Sequence, residues 1–385
     1  MVTIRPFQDD DHELAYRVAR LAFGGPPRPT GIPVDPPGAW HGLVAEDGGA
    51  IEGFLRVWRY NQFFGGRAVP TGGVASVAVS PHVRRRGIAG RMLAEALQVM
   101  REEGQCVSAL YPYVVPVYRA RGWELVGTRR EAVVPLSELA AVADTDVPLR
   151  QATATDLDSL HACYLRTASR IDGMFDRAAP AFDVSRVLEL DVVTVAPGES
   201  GLRGYLSANR PDGKRLQVYD LAADDVDTAR ALLRGIASWA GALADASVRI
   251  LDGALLELIF PMRLSYTTEA FMLRVVDLPA AVAARGWPAV AFARPFRVDI
   301  EVIDPWAPWQ AGRWRLAVED GVVTCEPGGA GEVTLHAGAL GPWFAGSTTT
   351  DSLRQVGLLT GDPAAAAALD ALTGAPHPVH LAEAF

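Results

Sequence analysis

Lysine is almost missing from this chain: of 36 cationic residues only Lys214 is a lysine, a bias that reads as GC-rich codon usage rather than function. Cysteine is scarce as well. Cys106, Cys163 and Cys325 lie far apart, which excludes a disulfide scaffold and a cysteine-rich zinc site. The seven histidines (12, 41, 82, 161, 336, 377 and 380) show no metal-ligand spacing, and Pro378 breaks the His377/His380 pair, so no metal is expected. No window approaches the roughly 18 consecutive apolar residues of a membrane helix. The opening MVTIRPFQDDDHE turns acidic by Asp9 and has no apolar core, unlike a secretory signal. These absences predict a soluble cytoplasmic protein with no membrane partner. Positive charge is also in deficit, 36 cationic against 45 anionic residues for a net charge of −9. A nucleic-acid partner is therefore not expected, whereas an acidic surface suits a cationic small molecule.

What is present is globular: 49% hydrophobic and 21% charged residues in a length that predicts two or three domains. Residues 1–140 alternate strand and helix signals. VTIRPF reads as a strand and DDDHELAYRVARLAF as a helix with acids in its first turn. The Pro/Gly-rich stretch 24–38 has the length of a functional loop. HGLVAED, AIEGFLRVWRYN and RAVPTGGVASVAVS read as three successive strands. RRRGIAGRMLAEALQVMREEG is a helix whose apolar stripe is Ile88, Met92, Leu93, Ala96 and Met100. QCVSALYPY is a buried strand, VVPVYRARG a short helix, and WELVGTRREAVV closes the unit.

From about residue 147 the pattern begins again. ATDLDSLHACYLRTA repeats the opening, the strands VVTVA, GLRGYLSA and LQVYDLA follow, and FMLRVVDLPAAVAARGWP closes the second unit. No Arg/Gly-rich loop joins LQVYDLA to the helix DVDTARALLRGIASWAG, so this unit reads as a copy without that loop. The last hundred residues are strand-rich, then helical, an α+β pattern that includes Trp306, Trp309 and Trp314 and ends in an apolar tail at Phe385.

The most informative stretch is Val77-Ala78-Val79, then Arg84-Arg85-Arg86-Gly87-Ile88-Ala89-Gly90. A strand runs through a short basic loop into a helix. Amides at a helix N-terminus are unpaired and sit at the positive end of the dipole, so they bind phosphate. Gly87 lets the backbone approach, and the arginines add charge-assisted hydrogen bonds. Upstream, the extended backbone at Val77 and Val79 can pair with an amide-containing arm.

This stretch resembles the GNAT acetyltransferase signature, Arg/Gln-x-x-Gly-x-Gly/Ala, here Arg84 to Ala89. Tyr118, in Val115-Pro-Val-Tyr118-Arg-Ala-Arg-Gly122-Trp123, resembles the tyrosine segment that follows the fifth strand in that family. The whole chain, with runs such as IDPWAPWQAGRWRLAVEDG and its terminal aromatic, is similar to the Eis (enhanced intracellular survival) acetyltransferases. The resemblance implies an α/β (α+β) architecture: a GNAT domain over 1–140, a second GNAT-like domain without the cofactor loop over 141–283, and a sterol-carrier-like domain over 284–385.

It also implies function. Family members take acetyl from acetyl-CoA to amines, notably aminoglycoside antibiotics at several positions, and assemble as homo-hexamers. Carried over, Val77, Ala78 and Val79 hold the pantetheine arm and the acetyl carbonyl. Arg84 to Gly90 hold the pyrophosphate, and Tyr113 and Val114 match further cofactor contacts. Tyr118 is the general acid toward the leaving thiolate, and the Phe385 α-carboxylate is the base. Phe23, Asp35, Trp40 and Glu383 are the candidate substrate-binding residues. The scarcity of carboxylates among these four also leaves peptide or secondary-metabolite amines as acceptors. The alternative class is a non-catalytic acyl-CoA or lipid-binding protein using the C-terminal domain.

Overall fold

The computed structural model describes residues 2–26, 35–210, 215–260, 263–293 and 295–385. The first stretch of chain forms β1 (Thr3–Pro6), α1 (His12–Phe23), β2 (Trp40–Asp47), β3 (Ala50–Phe64), β4 (Arg67–Val79), α2 (Ile88–Glu102), β5 (Val107–Leu110), α3 (Val115–Arg119) and β6 (Glu124–Pro135). The second forms β7 (Arg150–Gln151), α4 (Leu157–Ala168), β8 (Val192–Gly198), β9 (Gly201–Asn209), β10 (Leu216–Ala223), α5 (Val226–Ala237), β11 (Asp245–Arg249), α6 (Gly253–Ile259), β12 (Tyr266–Val275) and α7 (Leu278–Ala284). The third forms β13 (Phe296–Ile303), β14 (Gly312–Glu319), β15 (Val322–Pro327), β16 (Val333–His336), α8 (Ala337–Ala345), α9 (Thr350–Gln355), β17 (Leu359–Gly361) and α10 (Pro363–Thr373).

The openings of the first and second stretches share a local geometry. In each, an arginine on the first strand grips an aspartate six residues on with two hydrogen bonds. Arg5 binds Asp11 at 2.7 and 2.8 Å, and Arg150 binds Asp156 at 2.8 and 2.7 Å. Each aspartate also accepts a backbone N–H three residues back, from Gln8 or Thr153, closing a capping box that starts the helix.

The two units do not close on themselves. One twelve-stranded sheet runs in the order β1-β2-β3-β4-β5-β12-β6-β11-β10-β9-β8-β7. β12 lies between β5 and β6, so the strand expected to close the second unit completes the first. β6, expected to close the first unit, pairs instead with β11 of the second. Exchange of the closing strands buries both edges and joins the units through backbone hydrogen bonds.

A five-stranded sheet, β15-β14-β13-β16-β17, carries the third region. Its helix α8, AGALGPWFA, is apolar all round and buried at every residue, and it packs on β12 and β6. The link to the first unit is polar and cationic as well. The fully buried Arg274 donates to Asp304 at 2.6 Å, and Arg121 lies 3.7 Å from the Trp306 ring centroid. Trp309 donates to the Val276 carbonyl at 2.8 Å and Trp314 to the Gln310 carbonyl at 2.8 Å, so all three tryptophans serve packing of this region.

Candidate active site

The site begins where two parallel strands part. β4 pairs with β5 only at Thr71, Gly72 and Gly73, yet it continues to Val79, so Val74 to Val79 have no partner on that side. On the other side β3 pairs with β4 throughout, except at a bulge where Ala75 faces Arg56 and Ala78 faces Phe54. Ser76 takes a left-handed conformation there, φ 55°, at a cost of about 1–2 kcal/mol. The bulge takes Ser76 and Val77 out of the ladder with β3. Val77 and Val79 are half-buried above α2, and Ala78 is buried toward α1.

The basic loop comes next. Arg85 (φ 65°) and Gly87 (φ 74°) are both left-handed, with Gly87 at the N-cap of α2, which folds the successive N–H groups into a concave cradle. No side chain caps α2 and no acid stands in its first turn. Among the described residues Arg84, Arg85 and Arg86 make no ion pair; Arg84 Nε donates to the Val79 carbonyl at 3.1 Å. The corresponding helix of the second unit is closed: the Asp225 carboxylate accepts the Thr228 N–H at 2.8 Å. One unit thus starts its helix with amides that no side chain caps, and the other covers the same position with its own carboxylate. Gly90 is buried rather than open, its carbonyl accepting from Arg121 Nε at 3.0 Å.

Tyr118 lies on α3 in the cluster that includes Val74, Ile88 and Trp123, 7% exposed. Burial pushes its phenol up to about 12, so the hydroxyl holds its proton at neutral pH. Tyr113 and Val114 are exposed just before α3, and the Tyr113 ring is 6.1 Å from that of Phe23 at the end of α1.

The chain end arrives at the same opening. His380 makes a parallel bridge to Thr128 of β6, and Tyr111 Oη donates to the carbonyls of Leu381 (3.1 Å) and Glu383 (2.7 Å). The Phe385 ring then sits among Tyr60, Phe175 and Tyr111, with centroids 5.3, 5.5 and 5.7 Å away. Gly73 makes room for it: a Cβ there would stand 2.8 Å from Tyr60 and 2.9 Å from Phe385. Gly73 is also the last β4 residue paired with β5, so the terminal residue docks where the strands separate.

Two predicted acidic wall residues prove not to be free anions. Asp35 accepts from Trp40 Nε1 at 3.0 Å and lies 3.3 Å from Arg56. Glu383 is buried, accepting from Arg177 Nε at 2.8 Å and from Tyr164 Oη at 3.2 Å. Arg177 also binds the buried Asp220 through two bonds of 2.7 Å. Burial works against the Asp220 charge, but Arg177 prevails and holds it below the usual carboxylate range. Trp40 packs on Phe7 and Phe54, and residues 27–34 of the predicted loop lie outside the described residues.

Residues 3–126 match the acetyltransferase (GNAT) domain model and residues 278–382 the sterol carrier protein domain. A GCN5-related N-acetyltransferase from Kribbella flavida is 28% identical with a TM-score of 0.86, covering 100% of this chain and 98% of its own. The N-acetyltransferase Eis of Mycobacterium tuberculosis is 27% identical over 82% of this chain and 81% of its own. An uncharacterized N-acetyltransferase of Streptomyces avermitilis is 27% identical over 92% of each chain. The chain carries a GNAT acetyltransferase domain and is similar over most of its length to N-acetyltransferases of the Eis type.

Several residues around the opening escaped the sequence reading. Arg56, Trp58 and Tyr60 alternate on β3 and share one face, a period-two signal that was legible but overshadowed by the apolar run around it. Arg56 lies 4.8 Å from the Trp58 ring centroid, and Trp58 stacks on Tyr60 at 5.8 Å. Tyr111 and Arg177 carry no motif; only the folded tail reveals what they hold. Among the described residues no helix is long and apolar enough to cross a membrane. Cys106 and Cys163 are buried, which pushes both thiols up to about 12.

Proposed function

We propose that the chain is an acetyl-CoA-dependent amine N-acetyltransferase working by direct transfer within a ternary complex. The observation that supports this reading is the edge of β4, unpaired beyond Gly73: Tyr118 clusters with Val74 and Ile88, α2 starts without a side-chain cap, and Phe385 packs against Gly73. The donor's shape suits it. A diphosphate fits the amides of Ile88, Ala89 and Gly90 with Arg84, Arg85 and Arg86 around it, and an amide-bearing arm fits the free edge from Val77 to Val79. Tyr113 and Val114 flank the same entrance.

Acetyl-CoA supplies the activated acyl carbon and a thiolate leaving group. The chain's own groups do the rest. The Phe385 α-carboxylate takes a proton from the ammonium, freeing the nitrogen lone pair. Backbone N–H at Val77 donates to the carbonyl oxygen as charge builds on it. The nitrogen–carbon bond forms, the carbon–sulfur bond breaks as Tyr118 Oη delivers its proton to sulfur, and the second proton of the nitrogen passes to the phenolate, which restores Tyr118. Burial favours this assignment, because Tyr118 stays protonated until it donates. Homo-hexamer assembly is part of the proposal and is read by light scattering.

The test is thiol release from acetyl-CoA with a panel of primary amines, aminoglycosides among them. Turnover with any amine, together with acetylated product by mass spectrometry, supports the reading. Binding of CoA with no turnover across the panel overturns it in favour of a non-catalytic acyl-CoA-binding protein.

A further inference from the structure

The tail that ends at Phe385 is held by the second unit before it enters the first. In the second unit β10 pairs with β11 from Leu216 to Val218 and runs on to Ala223, with its ladder to β9 bulged between Val218 and Asp220, so the parting of strands seen at β4 recurs. Ala382 of the tail joins the core cluster that holds Tyr205, Ala222 and Leu251 of that unit. Two positions earlier His380 is 4% exposed, and its backbone N–H donates to the Asp172 carbonyl at 2.9 Å. Its ring meets a carbonyl oxygen at each nitrogen. Nδ1 lies 2.7 Å from the Thr128 oxygen of β6, and Nε2 contacts the Ile250 oxygen just past β11. A neutral imidazole carries one N–H, so at one of these oxygens it sets a lone pair against a lone pair. Only the imidazolium donates to both.

The charged groups facing this ring are Arg130 of β6 and Glu383 of the tail, which Arg177 holds. The Asp172 carboxylate is engaged elsewhere, with the Gly65 N–H at 2.7 Å and His377 at 2.9 Å. Burial pulls the His380 pKa below the ordinary imidazole value, with Arg130 acting the same way, while the two carbonyls and Glu383 pull against it. Relative to the unfolded chain, a lowered value makes protonation costly. Between two folded arrangements that both bury the ring, that cost cancels, and the one with both carbonyl bonds binds the proton more tightly. Acid therefore favours the arrangement in which the tail is bonded to both units. Resting on the acetyltransferase reading above, we propose that His380 is a positioning residue for the Phe385 carboxylate: as imidazolium it ties the tail to Thr128 of the first unit and Ile250 of the second at once, and as neutral imidazole it releases one of them. Solvent supplies and takes back the single proton involved.

The experiment follows deuterium uptake by the C-terminal peptide of the full chain at about pH 5.5 and about pH 7.5, corrected for the intrinsic pH dependence of amide exchange. Wild type is compared with His380→Phe and His380→Gln, and kinetics with kanamycin and phenethylamine are measured beside it at the higher pH. The wild-type tail should exchange at least about threefold more slowly at the lower pH. His380→Phe keeps a ring and donates nothing. Its corrected exchange should be the same at both pH values, and its kcat about tenfold or more below wild type, with the KM for acetyl-CoA within about twofold. His380→Gln, whose amide nitrogen bears two N–H groups, should lose the pH dependence as well, yet keep kcat within about threefold of wild type. Equal protection of the wild-type tail at both pH values overturns the proposal. Wild-type kcat and exchange in His380→Phe overturn it too. Where His380→Phe melts far below wild type, His380→Gln decides: pH dependence kept without the imidazole overturns the proposal. No turnover of either amine, with the tail responding to pH as expected, counts against the acetyltransferase reading and supports the tie made by His380.

Discussion

Arg177 Nε donates to Glu383 Oε1 at 2.8 Å, two positions before the chain ends, while its two other nitrogens hold Asp220. A guanidinium planted in the second unit thus fixes the tail whose last residue enters the opening of the first. Arg177→Met should lower kcat at least about tenfold while leaving the KM for acetyl-CoA near wild type, because it frees the tail and not the phosphate cradle. It should also destabilise the fold by about 3–5 kcal/mol, since Asp220 and Glu383 lose their partner. Denaturant midpoints measured beside the kinetics separate the two effects. Wild-type kcat in a stable variant would show that the tail needs no clamp.

Tyr118→Phe removes one hydroxyl that makes no hydrogen bond within the described residues. The expected result is a fall in kcat of about 100- to 1,000-fold with Tm almost unchanged. With its phenol pushed up to about 12, Tyr118 loses no protons over the working range. The kcat profile of the wild type should therefore show no alkaline loss assignable to this group below about pH 11.

Adding a single glycine after Phe385 separates ring from charge. The ring keeps its nest, and the terminal carboxylate moves one residue outward. The expected kcat is about 100-fold lower with unchanged Tm, whereas deletion of Phe385 should lower both. Normal turnover in the glycine-extended chain would exclude the carboxylate as base.

Neutralising Arg84, Arg85 and Arg86 together to glutamine should raise the KM for acetyl-CoA about 10- to 100-fold and change kcat little. The wild-type KM should itself rise with salt, since these side chains are exposed. Initial rates against acetyl-CoA at two ionic strengths check both statements.

His377 Nε2 donates to the Asp172 carboxylate at 2.9 Å, and that hydrogen bond is the main reason its pKa is raised. A raised folded value means the contribution is complete below the ordinary imidazole value of about 6.5 and is lost as pH climbs through the folded value. With the His377 side chain 37% exposed, the contribution should stay under about 1 kcal/mol. His377→Gln should therefore melt below wild type near pH 6 and converge with it at alkaline pH.

Much of the fold was readable because it is local. The stripe from Ile88 to Met100 specifies α2, and alternation specifies β2, β3 and β4. The Arg/Gly loop before α2 and its absence before α5 were legible in the sequence; in the fold Gly87 leaves α2 without a side-chain cap, whereas Asp225 caps α5. Less was readable of the acceptor wall. Asp35 and Glu383 look like carboxylates for a cationic substrate, yet Arg56 and Arg177 take them from 21 and 206 residues away. No spacing rule reports such pairings.

Strand and helix identity, the positive φ at Gly87 and the uncapped start of α2 follow from neighbours within a few residues, where sterics and hydrogen bonding are set by the chain itself. The exchange of β6 and β12, the threading of the tail past Tyr111 and the neutralisation of the wall acids were settled only on folding. Those features depend on which surfaces meet after collapse. An ion pair or a strand edge is satisfied by whatever partner the packed chain brings within reach, however distant in sequence.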